Sequence, residues 1–153
     1  MKNDRYAAID IGTNTFRLFI AEVFISADKG NPSLHEIYSD RIITRLGEDI
    51  SKEGLISKEA MERSLNALAV FQRIIQKSNV NHTAAIATSA LREAGNSDVF
   101  IEKVRKTSGI DIRIISGEDL LPLVADDFVL VPNPRTCEPN RQYRVIFRAE
   151  AIE

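Results

Sequence analysis

The chain has 153 residues, of which 44% are hydrophobic and 27% charged, and its formal net charge is −2. This length and composition predict one globular domain with a substantial core. The small net charge gives no electrostatic case for binding nucleic acid, and no apolar run is long enough to span a membrane. The single cysteine excludes an internal disulfide framework, so we expect a cytoplasmic protein.

Three strands are predicted at the start of the chain. The first, Tyr6–Ile11, is small and apolar apart from one acid, and the second, Thr15–Phe24, is rich in aromatic and β-branched residues. A third strand, Leu34–Thr44, follows a turn that contains Gly30 and Pro32. We therefore expect an antiparallel three-stranded meander.

The turn between the first two strands is a candidate anion-binding loop. Gly12 has no side chain and permits backbone angles closed to other residues, so its peptide can lie against a ligand. Thr13, Asn14 and Thr15 add hydroxyls, an amide and several backbone N–H groups. Asp10, at the end of the first strand, suits a Mg²⁺ ion or a water molecule beside phosphate oxygens. The alternative is an ordinary hairpin with a polar turn.

A loop and a long helix follow the meander. In the loop, Arg45–Ile50, the side chain of Arg45 is able to reach an anion, although a solvated arginine fits the sequence equally well. Ser57 then caps a helix that runs from Lys58 to about Lys77. Apolar residues repeat along this helix at intervals of three and four, which assigns it to the core.

A second phosphate-binding segment is predicted where a buried strand, Thr83–Thr88, meets the start of a helix. Backbone N–H groups at a helix start are unpaired and carry positive partial charge, which favours phosphate. The guanidinium of Arg92 adds a planar fork of donors. The alternative is that Ser89 is only an N-cap and Arg92 only a surface residue.

The remaining elements complete a βα pattern. A second helix, capped by Asn96 or Ser97, runs to about Lys106, and Ile110–Ile115 is a further strand. Ser116–Asp119 is predicted to be the cap and first turn of a third helix. The order β-β-β-α-β-α-β-α predicts an α/β fold with a mixed sheet and helices on its faces.

The composition changes after Asp119. Four of the five prolines lie beyond it, and lysine is absent beyond Lys106. Two short stretches, Phe128–Val131 and Tyr143–Phe147, have strand character. We therefore expect residues 1–119 to form the domain, and residues 120–153 to be a divergent tail that arose by frameshift, truncation or fusion.

Four segments together resemble the N-terminal domain of the exopolyphosphatase/guanosine pentaphosphate phosphatase (Ppx/GppA) family. They are Asp10–Leu18, Thr44–Glu48, Ala87–Ala94 and Ile115–Glu118. The resemblance implies a single RNase-H-like domain of the actin/Hsp70/sugar-kinase superfamily. It also implies a reaction in which water attacks a terminal phosphoryl group of inorganic polyphosphate or guanosine pentaphosphate and inorganic phosphate is released.

The resemblance also implies roles for particular residues. The turn from Gly12 to Thr15 would hold phosphate and Asp10 would assist a Mg²⁺ ion. Ser89 and Arg92 would line the same cleft, and Arg45 would converge on it.

Two departures from the family pattern concern the reaction itself. Where the family has the glutamate that activates water, this chain has Leu120, which cannot accept a proton. Its neighbour Asp119 is a candidate substitute base, and Glu118 fills a variable position. The family's second phosphate loop, Asp-x-Gly-Gly-Gly-Ser-Thr-Glu, is absent from the sequence. We therefore expect weak or no turnover.

The sequence also allows two alternative functions and predicts association of two chains. One alternative is a non-catalytic phosphate-binding or interaction domain, and a less favoured one is half of a sugar- or acetate-kinase-like ATPase. Apolar surface left uncovered beside the cleft would favour association, so a homodimer is expected.

Overall fold

A computed structural model of the chain describes residues 4–25 and 32–115, together with three strands beyond them. The elements, in chain order, are β1 (Arg5–Ile11), β2 (Thr15–Ile25), β3 (Pro32–Ile43), α1 (Ile50–Glu53), α2 (Lys58–Lys77), β4 (His82–Ala87), α3 (Ser89–Glu93), α4 (Ser97–Ser108), β5 (Ile112–Ile114), β6 (Leu123–Ala125), β7 (Phe128–Pro132) and β8 (Tyr143–Phe147).

A five-stranded mixed sheet forms the framework, with the strand order β3-β2-β1-β4-β5. The meander β1-β2-β3 is antiparallel, whereas β4 runs parallel to β1 and β5 runs parallel to β4. The crossover from β3 to β4 contains α2, and that from β4 to β5 contains α3 and α4. The predicted meander followed by crossover units is therefore confirmed. Because β1 and β4 are parallel neighbours, the turns at their carboxyl ends meet at one edge of the sheet.

The core lies between one face of the sheet and the helices α2 and α4. On β1, the side chains of Ala7, Ile9 and Ile11 point to this face and are fully buried. Phe71 of α2 and Phe100 of α4 are also fully buried, and burial of each stabilises the fold by roughly 1.5–3 kcal/mol relative to exposure. Residues on β1 alternate between faces, so the acid between Ile9 and Ile11 lies on the opposite face.

The long helix has the predicted bounds. The Ser57 hydroxyl accepts a hydrogen bond from the Ala60 amide at 3.3 Å, as an N-cap does. Met61, Leu68 and Ile75 are buried at the predicted spacing. The core assignment of α2 is confirmed, although one of its arginines has a further role that is described below.

Two local features differ from the sequence prediction. Asn96 occupies the N-cap position of α4 without capping it, because its side-chain amide instead bonds both backbone polar groups of Ile56, at 2.9 and 3.0 Å. The single-turn helix α1 was not predicted. It ends at Gly54, whose φ of 70° is in the left-handed region that favours glycine.

Beyond residue 115, the structure describes only the backbone of three strands. They form a separate antiparallel sheet with the order β6-β7-β8, and two of them coincide with the predicted strands. The predicted third helix, including Glu118, Asp119 and Leu120, lies outside the described residues. Among the helices that the structure describes, none is long and apolar enough to cross a membrane.

Candidate phosphate-binding site

The predicted anion-binding loop is a closed hairpin turn between β1 and β2. The Gly12 amide donates to the Thr15 carbonyl at 3.2 Å, and a Cβ atom on Gly12 would lie 2.8 Å from that oxygen. The φ angle of Gly12 is not in the left-handed region. The turn therefore needs glycine for the close approach of two backbone segments. The conformational freedom that we expected from Gly12 is not used.

Residues 44–47 hold the turn by donating hydrogen bonds to the carbonyl groups of the turn. The amides of Thr44 and Arg45 both donate to the Asn14 carbonyl at 3.0 Å, and the Gly47 amide donates to the Thr13 carbonyl at 2.9 Å. We call residues 44–47 the clasp. In a trans peptide the N–H lies opposite the C=O, so the N–H groups of Asn14 and Thr15 point away from the clasp.

Two backbone N–H groups of the turn are available as donors to a ligand. Within residues 4–25 and 32–115, the amides of Thr13 and Asn14 have no hydrogen-bond acceptor. Neighbouring unpaired N–H groups in a turn form a concave site for anions. The local geometry therefore fits the expected phosphate-binding turn.

Ser89 meets this turn across 76 residues of sequence. Its hydroxyl lies 3.2 Å from the Thr13 hydroxyl, and the pair is partly buried. The N-cap of α3 is Thr88, so Ser89 is not the cap that the alternative interpretation assumed. The structure thus brings the two predicted phosphate-binding segments together.

Arg45 lies at the rim of the turn in a constrained conformation. Its φ is 50°, in the left-handed region, which costs roughly 1–2 kcal/mol for a residue with a side chain. The bond from its amide to Asn14 holds it there. Its side chain is exposed, and it has no ion pair or hydrogen bond with another described residue. The guanidinium is therefore available to an anion.

Arg92 has a structural partner that the sequence did not reveal. One guanidinium nitrogen, Nη1, donates to the Ile115 carbonyl at 2.7 Å. The Ile115 amide in turn donates to the Ala87 carbonyl at 3.0 Å. Arg92 therefore fastens the end of β5 to α3, and only the remaining guanidinium N–H groups are available for a ligand.

Asp10 is a partly buried carboxylate on the sheet face opposite the core. Burial raises its pKa above the ordinary value of 3.8, and the facing Arg17, its partner in the β1–β2 register, opposes that rise. Within the described part of the chain, the Asp10 carboxylate accepts no hydrogen bond. No group of three or more His, Cys, Asp or Glu side chains there is arranged to hold a metal ion. A carboxylate that accepts no hydrogen bond from another described residue has oxygens available to a hard cation such as Mg²⁺.

The supporting roles of two residues, Gly47 and Arg63, were missed by sequence analysis. A Cβ atom on Gly47 would overlap the Thr13 methyl group, so the clasp needs glycine at this position. Arg63 of α2 donates from Nε to the Thr44 carbonyl at 3.0 Å and from Nη2 to Glu48 Oε2 at 2.8 Å. Helical periodicity identifies the buried face of α2 but says nothing about the partners of an exposed arginine.

Comparison with known proteins places these features in a family context. Residues 24–119 match the model of the Ppx/GppA phosphatase family. The chain is 44% identical over 117 residues to the bifunctional 3-dehydroquinate synthase/phosphatase of Fusobacterium nucleatum, an alignment that covers 73% of this chain and 17% of that protein. It is 31% identical over 115 residues to exopolyphosphatase 1 of Mycobacterium leprae, covering 75% of this chain and 32% of that protein.

The solved structures agree with the predicted fold. The crystal structure of the Aquifex aeolicus Ppx/GppA phosphatase superposes with a TM-score of 0.66 at 30% identity, over 74% of this chain and 36% of that one. The α/β, RNase-H-like fold is thereby confirmed. The chain spans 17–36% of the length of these three proteins.

Proposed function

Because the chain belongs to the Ppx/GppA phosphatase family, we propose that its first turn binds the terminal phosphate of inorganic polyphosphate or guanosine pentaphosphate, as one wall of a phosphohydrolase site. In the complete reaction, water attacks the terminal phosphorus, the bond to the bridging anhydride oxygen breaks, the shortened substrate leaves with that oxygen, and the attacked phosphoryl group is released as inorganic phosphate. One observation carries the proposal. The hydroxyls of Thr13 and Ser89 meet at 3.2 Å, beside backbone amides that have no acceptor within the described residues.

The donors around the turn suit a phosphate group. The turn from Gly12 to Thr15 supplies backbone N–H groups, and Thr13 and Ser89 supply hydroxyls. Arg45 supplies a guanidinium that is not engaged by another described residue. We assign Arg92 to the same cleft through the guanidinium N–H groups that do not bond Ile115. A phosphate oxygen accepts several such bonds, and those from cationic donors are the stronger ones.

We assign Asp10 as the protein ligand of a Mg²⁺ ion. Its carboxylate at the end of β1 accepts no hydrogen bond from the described residues, which supports this assignment. The ion, when bound, neutralises charge on the phosphate oxygens. Asp10 itself contributes a ligand on the sheet face opposite the core, next to Arg17 in the β1–β2 register. The Arg17 guanidinium favours the charged form of Asp10, which a metal ion requires.

We propose that residues 1–119 are the phosphate-binding domain and that residues 120–153 are a tail outside it. The family match ends at residue 119, and the strands β6 to β8 pair with one another. Leu120 occupies the position at which the resemblance places the base, with Asp119 and Glu118 beside it. On this proposal the chain binds phosphate with little turnover, in the cytoplasm, a compartment that its single cysteine supports.

The proposal also includes association of two chains. The strand β3 is an edge of the five-stranded sheet, and Ile37 and Ile43 on it are exposed. Exposed edge strands with apolar residues tend to pair with another chain. Light scattering of the full chain is expected to give the mass of a dimer, and a monomer at high concentration would contradict this part of the proposal.

Binding of tripolyphosphate in the presence of Mg²⁺, measured by isothermal titration calorimetry, tests the proposed site. Arg45→Ala is expected to weaken binding about tenfold, since a hydrogen bond from a charged donor contributes about 1.5 kcal/mol. The matched control is Arg73→Ala. Arg73 is an exposed arginine of α2 that donates to the Ala69 carbonyl, ten residues and thus about 15 Å along the helix from Arg63. Equal losses in both variants would reveal a non-specific charge effect and overturn the site.

Phosphate release separates the candidate functions. Liberation of inorganic phosphate from polyphosphate above background supports the phosphohydrolase. Binding without release supports the non-catalytic alternative, and transfer of phosphate from ATP to an acceptor supports the kinase-like alternative. Absence of binding by the wild-type chain overturns all of these assignments.

A further inference from the structure

We propose that Arg63 is a positioning residue that fixes and polarises the phosphate-binding turn through the clasp. It contacts neither the turn nor a ligand directly. The inference rests on the proposed function, because it explains how the donors of that site are held in place. It adds a residue of the core helix α2 to a site otherwise built from the end of β1, the first turn, the clasp and α3.

The guanidinium of Arg63 spans the clasp. Its Nε donates to the Thr44 carbonyl at 3.0 Å, and its Nη2 donates to Glu48 Oε2 at 2.8 Å. Thr44 begins the clasp and Glu48 directly follows it, so one planar group holds both ends of the segment. A guanidinium presents its donors in a rigid fork, which makes it suited to fixing two acceptors at once.

The bond to Thr44 continues as a chain of peptide groups towards the anion site. The peptide between Thr44 and Arg45 accepts from Arg63 at its carbonyl and donates from its N–H to the Asn14 carbonyl at 3.0 Å. The peptide between Asn14 and Thr15 then presents its own N–H, that of Thr15, on the side away from the clasp. Both peptide dipoles therefore have their positive ends directed away from the Arg63 charge.

Hydrogen bonds in such a chain strengthen one another, and the positive charge of Arg63 lies at its head. The charge polarises the first carbonyl, which makes the Arg45 N–H a better donor to Asn14, and this in turn makes the Thr15 N–H a better donor to an anion. Preorganised dipoles of this kind favour a negative ligand without being rearranged when it binds.

An alternative role for Arg63 is that its ion pair with Glu48 only stabilises the fold, and this role predicts different experimental results. The side chains of Arg63 and Glu48 are 42% and 44% exposed, and an exposed pair contributes about 0–1 kcal/mol to stability. The chain offers a matched control in Arg105, which pairs with Asp111 at 2.7 Å on an exposed surface of α4. If Arg63 acts only through its ion pair, its replacement and that of Arg105 should have the same consequences.

The test compares Arg63→Gln, Arg63→Lys and Arg105→Gln in the full chain. Tripolyphosphate affinity is measured by calorimetry, and the backbone amides of Arg45 and Thr15 are followed by ¹H–¹⁵N NMR without ligand. Arg63→Gln is expected to shift both amide resonances and to weaken binding about three- to tenfold. Arg63→Lys keeps the charge and one bond to Thr44, so we expect intermediate shifts and affinity. Arg105→Gln should change neither.

The outcomes distinguish this inference from the proposed function. Unchanged Arg45 and Thr15 amide resonances in Arg63→Gln would overturn the inference, as would a loss of affinity equal to that of Arg105→Gln. Failure of the wild-type chain to bind tripolyphosphate would overturn the proposed function, and the amide shifts would still decide whether Arg63 positions the turn. If Arg63→Gln does not fold, the shifts and affinity of Arg63→Lys provide the decision by the same criteria.

Discussion

Replacement of Gly47 by alanine is expected to damage the phosphate-binding turn through a single added methyl group. The new Cβ atom would overlap the Thr13 methyl carbon, Cγ2. The φ of Gly47 lies outside the left-handed region, so alanine meets no left-handed strain at this position. The expected effect is therefore steric, and it is directed at a residue of the candidate site.

The magnitude follows from the two ways in which the overlap can be relieved. If the backbone shifts, overpacking costs about 1–3 kcal/mol, and the 2.9 Å bond from the Gly47 amide to Thr13 lengthens. If Thr13 rotates instead, its hydroxyl must move with its methyl group, because both are attached to Cβ. Rotation then breaks the 3.2 Å contact with Ser89, a hydrogen bond that contributes about 0.5–1.5 kcal/mol.

A double-mutant cycle with Thr13→Ser isolates this contact. Serine keeps the hydroxyl and lacks the methyl group, so Gly47→Ala should cost much less in the Thr13→Ser background. Urea denaturation of the four proteins is expected to give a coupling energy of about 1–2 kcal/mol. Additive losses of unfolding free energy would refute the reasoning, because they would mean that the alanine methyl does not meet the threonine methyl.

Two further predictions concern the charged residues around the turn. For Asp10, the raised pKa means that the folded state holds a proton to higher pH than the unfolded state, so stability falls as the pH rises from about 3.8 through the raised pKa and stays lowered above it. Asp10→Asn should therefore raise Tm at pH 7 in Mg²⁺-free buffer, with the gain disappearing at about pH 3; a lower Tm at pH 7 would contradict the assigned cause. Arg45 adopts a left-handed backbone conformation that strains alanine but not glycine. The unfolding free energy of Arg45→Gly should therefore be about 1 kcal/mol higher than that of Arg45→Ala. Both variants should bind tripolyphosphate more weakly than the wild-type chain. Equal urea denaturation midpoints would show that the conformation carries no strain.

Local sequence patterns were sufficient for the framework that positions the site. The spacing of Met61, Leu68 and Ile75 predicted α2, and Ser57 caps it as expected. The small apolar residues of Tyr6–Ile11 predicted β1, and Asp10 lies at its carboxyl end as expected. These predictions hold because helix and strand periods are short, so the residues that determine each element lie within a few positions of one another.

The contacts that support the turn could not be predicted from the sequence, because they join segments that are far apart in the chain. The clasp lies about 30 residues from the turn that it holds, and Arg63 lies on a helix whose period indicated only core packing. The absence of a side chain at Gly12 was expected to matter for a ligand, and only the built turn shows that the Thr15 carbonyl occupies the space of a side chain. The four residues of α1 are too few to display a helical period.

The same contacts determine which part of the proposed chemistry this chain can perform alone. The clasp, the Thr13–Ser89 contact and the hydrogen bonds of Arg63 join residues within 13–89 and hold the donors of the turn. Phosphoryl transfer also needs charge stabilisation and a positioned water on the opposite side of the phosphate. In this sequence Leu120 stands where the resemblance places the base that activates water. Anion affinity and turnover should therefore separate in this chain, with affinity set by the turn and its clasp.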